Sequence, residues 1–157
     1  MDAIAVAAGV GKGTLFRAFG SRDGLLDTLW SAKLAAVRDP VDAGTPPFDV
    51  GTPAGERVVA FLDAITCFKL DNRHLIRARE GAMTGLWQSE HYQWMHGVLR
   101  ALIEAASDGR VRDSAYTAHA LLSALHVDLL EQLLATGRSR EQLRQAQAAF
   151  ALAVLDR

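Results

Sequence analysis

The chain has one cysteine, Cys67, among its 157 residues, which excludes an internal disulfide framework and any cysteine-based zinc finger and fits a reducing cytoplasm better than export. It lacks any apolar run near the roughly eighteen residues that a membrane-spanning helix requires, and its opening has no basic start followed by an apolar stretch. Neither a membrane span nor a signal peptide is therefore expected. Charge of one sign is also lacking: 17 lysines and arginines against 18 aspartates and glutamates leave a net charge of −1, so any contact with nucleic acid must rest on a local cluster. Sustained alternation of β-branched residues is absent, which excludes a sheet protein. What is present, 50% apolar and 22% charged residues, is the composition of a compact domain large enough to bury a core.

The four prolines, Pro40, Pro46, Pro47 and Pro53, fall in one stretch with Gly44, Gly51 and Gly55, and Asp39–Thr52 reads as a linker. Elsewhere apolar residues recur every three or four positions, so the fold class is all-α. After two short opening helices, one helix runs from the N-cap Ser21 to about Val37, stopping before Pro40. Another runs from Pro53 and Ala54 toward Leu70, with Val58, Phe61, Leu62, Ile65, Phe68 and Lys69 on its stripe, and a shorter one covers Arg73 to Glu80. A long helix from Ser89 ends at Asp108 and Gly109, the glycine supplying the left-handed residue. Ser114 to about Thr136 and Ser139 to about Leu155 complete the set, the last start marked by the capping-box pair Ser139 and Gln142.

The opening residues carry the most specific pattern. Asp2–Ala8 reads as a short helix, Gly9-Val10-Gly11 as a tight turn and Lys12–Phe19 as a second short helix, a helix-turn-helix arrangement. Ala5 permits a close crossing, Gly9 can take positive φ, and Ile4, Val10, Leu15 and Phe19 are suited to fill the space beneath. Lys12, Thr14 and Arg17 then point outward with Arg22 beyond, and no acidic residue lies between Gly11 and Arg22.

Ile4-Ala5, Ala8-Gly9-Val10, Lys12-Gly13-Thr14-Leu15-Phe16-Arg17 and Phe19-Gly20-Ser21-Arg22-Asp23-Gly24-Leu25 together resemble the signature of tetracycline-repressor (TetR) family regulators. The resemblance implies a dimeric repressor whose second short helix enters the major groove and whose C-terminal helices bind a small molecule. On this reading, residues 1–38 are an incomplete DNA-binding domain with its connecting helix, 39–52 a linker, and 53–157 a ligand-binding and dimerisation domain. Lys12, Gly13, Thr14, Phe16 and Arg17 would meet groove and phosphates, with Arg22 as backbone anchor. Dimerisation would set two such helices about 34–36 Å apart, matching half-sites one DNA turn apart.

The departures from the family pattern are specific. A further helix is implied ahead of the motif, whereas the sequence starts at the motif itself; the expectation is a start assigned too far downstream, the alternative a truncated relic. Gly11 replaces a capping serine, Phe16 a tyrosine able to reach phosphate, and Ala18 a histidine. Gly24 in the first turn of the next helix lowers helix propensity by about 1 kcal/mol relative to alanine.

In the body, Phe61, Ile65, Phe68, His74, Met83, Trp87, His91 and Trp94 suit an aromatic-walled pocket for a flat or apolar ligand, while for any one of them taken singly ordinary core packing is the expected role. The leucine-rich stretch from Ala118 to Leu134 has little polar circumference, so a homodimer interface using Leu122, Leu129, Leu133, Leu143 and Phe150 is expected. No metal site or catalytic constellation is expected. His91 and His96 lie five positions apart, about 140° around a helix, and Cys67 has no nearby histidine in sequence. Phosphate-loop and nucleophile-elbow motifs are missing. The partners expected are operator DNA, a small-molecule effector and a second copy of the chain, with no cofactor and no membrane. The rival to a regulator is a helical ligand-binding or dimerisation module unable to bind DNA, and a small helical enzyme using His74 or His91 ranks last.

Overall fold

A computed structural model of the chain describes residues 1–80 and 86–156, and all regular structure among these residues is helical. The order is α1 (Asp2–Ala8), α2 (Lys12–Phe19), α3 (Arg22–Asp42), α4 (Ala54–Asp71), α5 (Arg73–Glu80), a 3-10 turn at Leu86–Gln88, α6 (Glu90–Ser107), α7 (Ser114–Ser123), α8 (Val127–Ala135) and α9 (Arg140–Leu155). No helix among the described residues is long and apolar enough to cross a membrane.

The centre of the bundle is α4, which packs against α3, α5, α6, α8 and α9. Its Val58, Phe61, Leu62 and Ile65 are fully buried, joined by Leu99 and Ile103 of α6 and Ala118 and Leu121 of α7. The same core takes in Trp30 and Leu34 of α3. Bidentate Arg144–Asp63 bonds at 2.6 and 2.8 Å and the Arg140–Asp71 pair tie α9 to α4, while Arg77 Nη1 to Glu131 Oε2 at 2.7 Å ties α5 to α8. Ser139 and Gln142 form the reciprocal capping box that opens α9.

Three boundaries differ from the expectation. First, α3 continues through Pro40 to Asp42, because a proline in the last turn forgoes a single amide donor where the ladder is already ending. The expected linker is correspondingly shorter, and Val41 and Phe48 pack against the main core. Second, the expected helix from Ser114 to Thr136 is two helices. Leu125 N–H and His126 N–H bond three residues back to Leu122 and Ser123, and His126 is extended at ψ 136°. The break turns Leu125 and Val127 into the core together. Third, Asp108 itself takes the left-handed conformation at the end of α6, with φ 47°, and Gly109 follows at φ 81°.

Candidate nucleic-acid interface and internal cavity

At the amino terminus, Gly9 takes φ 66° and ψ 26°, and the Val10 amide bonds back to Ala5 carbonyl at 3.0 Å, which reverses the chain between α1 and α2. Ala5, Leu15, Leu25 and Leu26 are the buried residues of this corner. Ile4 and Phe19 are half-buried, but Val10, expected beneath the crossing, is 41% exposed, because its place after the left-handed glycine carries it to the outside of the turn. Lys12, Gly13, Thr14, Phe16, Arg17 and Arg22 are all exposed. Gly11 gives α2 no side-chain cap. Lys12 Nζ sits 2.8 Å from Asp2 Oδ1, and the hydrogen bond from the ammonium holds the Asp2 carboxyl below its usual range. One of the expected cations is therefore paired across the turn, in an exposed and weak contact that a phosphate can replace.

The α2–α3 corner gives Gly24 a role that propensity does not. Its amide donates to Ser21 Oγ at 3.0 Å, and a Cβ at this position would fall 2.2 Å from the Phe19 carbonyl oxygen. Helix propensity favours Gly24→Ala by about 1 kcal/mol. The collision with a backbone atom reverses the sign, and the alanine variant is expected to melt below the parent in a thermal unfolding scan.

Past this corner, α3 lies along α5 and α6. Arg79 Nε and Nη2 donate to the two Asp27 carboxylate oxygens at 2.6 and 3.0 Å, Arg38 Nη1 reaches Glu90 Oε1 at 3.2 Å, and Trp94 Nε1 donates to Asp42 Oδ1 at 3.1 Å. Arg38 also lies over the Trp94 ring, 5.4 Å from its centroid. His91 stacks on Trp30 with centroids 5.7 Å apart, and its Nε2 is 3.3 Å from Ser31 Oγ.

Beside this stack is a cavity of about 280 Å³ between α3, α4, α6 and α7, with Trp30, Lys69, Trp87, Tyr92, Met95 and His126 among its lining residues. Lys69 is 6% exposed and Trp30 3% exposed. Next to the cavity, Tyr92 Oη and His119 Nδ1 are 2.6 Å apart, and His96 stacks on His119 with centroids at 4.0 Å. His96 Nε2 donates to Ala115 carbonyl at 3.0 Å. Burial pushes the Tyr92 phenol up to about 12, so it stays a neutral hydrogen-bonding group.

Burial holds His91 below its ordinary value of 6.5, outweighing the nearby Asp27 and Glu90 carboxylates, and burial with the neighbouring His96 lowers His119 likewise. A histidine that resists protonation when folded binds fewer protons than its unfolded counterpart once the pH drops below the unfolded value. Stability is then complete above that value and declines as the pH falls toward the folded one. Urea midpoints taken from about pH 7.5 to about pH 5 are expected to fall, with His91→Gln flattening part of the slope.

Of the residues expected to line a pocket, Trp87 does so. Phe61 and Ile65 are fully buried core, Phe68 packs on Trp30 with ring centroids 5.9 Å apart, and His74 is exposed. His91 backs the Trp30 wall, Trp94 packs on Phe61 and bonds the Asp42 carboxylate at the end of α3, and Met83 lies outside the described residues. The lining residues not anticipated are Trp30, Lys69, Ser89, Tyr92, Leu122, Ser123 and His126. Lys69 carried a usable signal: a cation on the inward stripe of a helix, four residues after Ile65.

For the expected interface, the structure separates two groups. Leu122 and Leu143 are buried within the chain, Leu143 in a small cluster with Leu70 and Leu130. Leu129, Leu133 and Phe150 line an apolar groove between α8 and α9, with Leu129 and Phe150 43% and 44% exposed. Among the described residues no group of three or more histidine, cysteine, aspartate or glutamate side chains is placed to hold a metal ion.

Residues 1–29 match the family of bacterial regulatory proteins described as the tetR family. No curated protein and no solved structure matches the chain.

Proposed function

We propose, from the tetR-family character of residues 1–29, that this chain is a one-component transcriptional regulator, a repressor that binds operator DNA as a dimer and is released by a small molecule held in the helical body. The observation that carries the reading is the exposure of Lys12, Thr14 and Arg17 on α2, with Arg22 at the start of α3, on a corner held together by the buried Ala5, Leu15, Leu25 and Leu26. An exposed short helix with cations and a hydroxyl can approach a duplex, its basic groups on phosphate and base edges. The apolar groove lined by Leu129, Leu133 and Phe150 supports pairing of two copies through α8 and α9, which a single chain leaves in water.

Release follows from α3, which carries Arg22 at one end and contributes Trp30 to the cavity wall. A ligand that fits the cavity better when α3 is shifted favours the shifted state, and bound ligand lowers operator affinity by the same factor by which bound operator lowers ligand affinity. The test is fluorescence anisotropy with duplex DNA from beside the chain's own gene, at rising salt. Binding is expected to exceed that to unrelated DNA and to weaken linearly on a double-logarithmic salt plot. Equal affinity for both duplexes, or none for either from a dimeric and folded protein, refutes the reading in favour of a helical module without DNA binding.

A further inference from the structure

The outer face of α2 holds more than cations. Leu15 is the buried residue of this helix, and at about 100° per residue Gly13 and Arg17 both fall about 160° from it, at the centre of the exposed side. Gly13 is the second residue of α2, and a Cβ built there would have nothing among the described residues within 4 Å. Other glycines of this corner have a reason inside the chain: Gly9 and Gly20 take positive φ, and Gly24 faces the Phe19 carbonyl. Gly13 has neither, and glycine is a poor helix former. What its missing side chain provides is a gap on the surface, through which another molecule can come close to the helix backbone.

The neighbours of that gap define what fits it. Residues three and four positions on stand beside it, which places Phe16 on one flank and Arg17 on the other. Phe16 is 43% exposed, an apolar ring left in water on an otherwise cationic corner. It has no hydroxyl, so a phosphate gives it nothing to bond. In the major groove of DNA the base edges are hydrogen-bonding groups apart from the thymine C5-methyl, and phenylalanine is one of the side chains that meet that methyl. A phenyl ring beside a glycine gap therefore matches the apolar group on the base edges.

We propose that α2 reads a thymine in each operator half-site through its C5-methyl group, seated over Gly13 and against the ring of Phe16. The assignment rests on α2 being the DNA-reading helix and names the base that the helix selects, which the charge of the corner does not specify. The surrounding cations supply the salt-dependent part of the affinity, and the ring and the gap supply the choice of base.

Anisotropy titrations of the full chain test this with two probes: the duplex from beside the chain's own gene, and the same duplex synthesised with deoxyuridine at every thymidine, which removes the methyls and keeps the pairing. The parent is expected to bind the thymine duplex about tenfold more tightly, since a two-fold symmetric complex forfeits a buried methyl twice. In Phe16→Ala the two duplexes should converge to within about twofold. Gly13→Ala should melt no lower than the parent, because alanine is the better helix former and the space is free, yet bind the thymine duplex at least about tenfold more weakly. The comparison of duplexes on the unaltered protein needs no variant and stands if Phe16→Ala does not fold. Equal affinity of the parent for both duplexes, discrimination that survives Phe16→Ala, or thymine-duplex binding untouched by Gly13→Ala overturns the proposal. Preference for this duplex over unrelated DNA with no response to loss of the methyls refutes the thymine assignment and leaves the regulator standing, whereas no such preference refutes both.

Discussion

Arg17→Ala is expected to weaken operator binding by roughly 30-fold or more, with the loss visible at every salt concentration. A side chain that touches a base or phosphate contributes about 1–3 kcal/mol, and a two-fold symmetric complex forfeits it twice, about 2–6 kcal/mol in all. Anisotropy titrations at several ionic strengths separate the two roles. If Arg17 meets phosphate, the salt dependence shallows by about one unit for each phosphate no longer neutralised; if it reads a base edge, preference for operator over unrelated DNA declines instead. Unchanged affinity would remove α2 as the reading element. Asp2 provides the opposite sign. It holds Lys12 at 2.8 Å and adds negative charge at the start of α1, beside the turn into α2, so Asp2→Asn is expected to raise affinity for DNA while leaving the helix boundaries intact.

The second large effect is on stability. Phe61 is fully buried at the centre of α4, with its ring in edge contact with Trp94 at 5.8 Å. Truncation to alanine is expected to cost about 3–5 kcal/mol through reduced apolar transfer and the void left behind. Domains of this size have only about 5–15 kcal/mol in total, so Phe61→Ala lies near the edge of folding at 37 °C. Urea denaturation followed by circular dichroism should show a large drop in midpoint with little change in slope. The same variant separates core from cavity: its ligand affinity, measured below the unfolding transition, should change far less than its stability.

That distinction marks where the sequence stops being informative. The helix-turn-helix corner is legible because its signals are local: a glycine at the left-handed position, a serine N-cap, and cations with no intervening acid. The start of α9 is legible for the same reason, the two halves of its capping box lying three residues apart. Phe61 and Trp30 cannot be assigned this way. Periodicity reports that a side chain faces inward but not whether the space it faces is filled, and Phe61 meets packed atoms where Trp30 meets a void. The break at Ala124–His126 is hidden too, since a leucine-rich run keeps its apolar content on either side, and the burial of Leu125 and Val127 that fixes it depends on distant helices. Gly24 misleads for a related reason: propensity weighs a residue within its own helix, and the atom that demands glycine belongs to the preceding one.

The 21 residues of α3 have a mechanical consequence. Its far end is tied to α6 through Arg38 and Asp42, Asp27 ties it to Arg79 of α5, and its near end carries the corner from which α2 projects. The span from Arg38 back to Arg22 is about 24 Å at 1.5 Å per residue, so a pivot of only ~5° at the far end sweeps the tip through roughly 2 Å. Trp30 sits about midway along that lever, where the same rotation displaces its backbone by half as much. On the proposed reading, a ligand held beside Trp30 would be read out at the corner carrying α2 through such a tilt of α3.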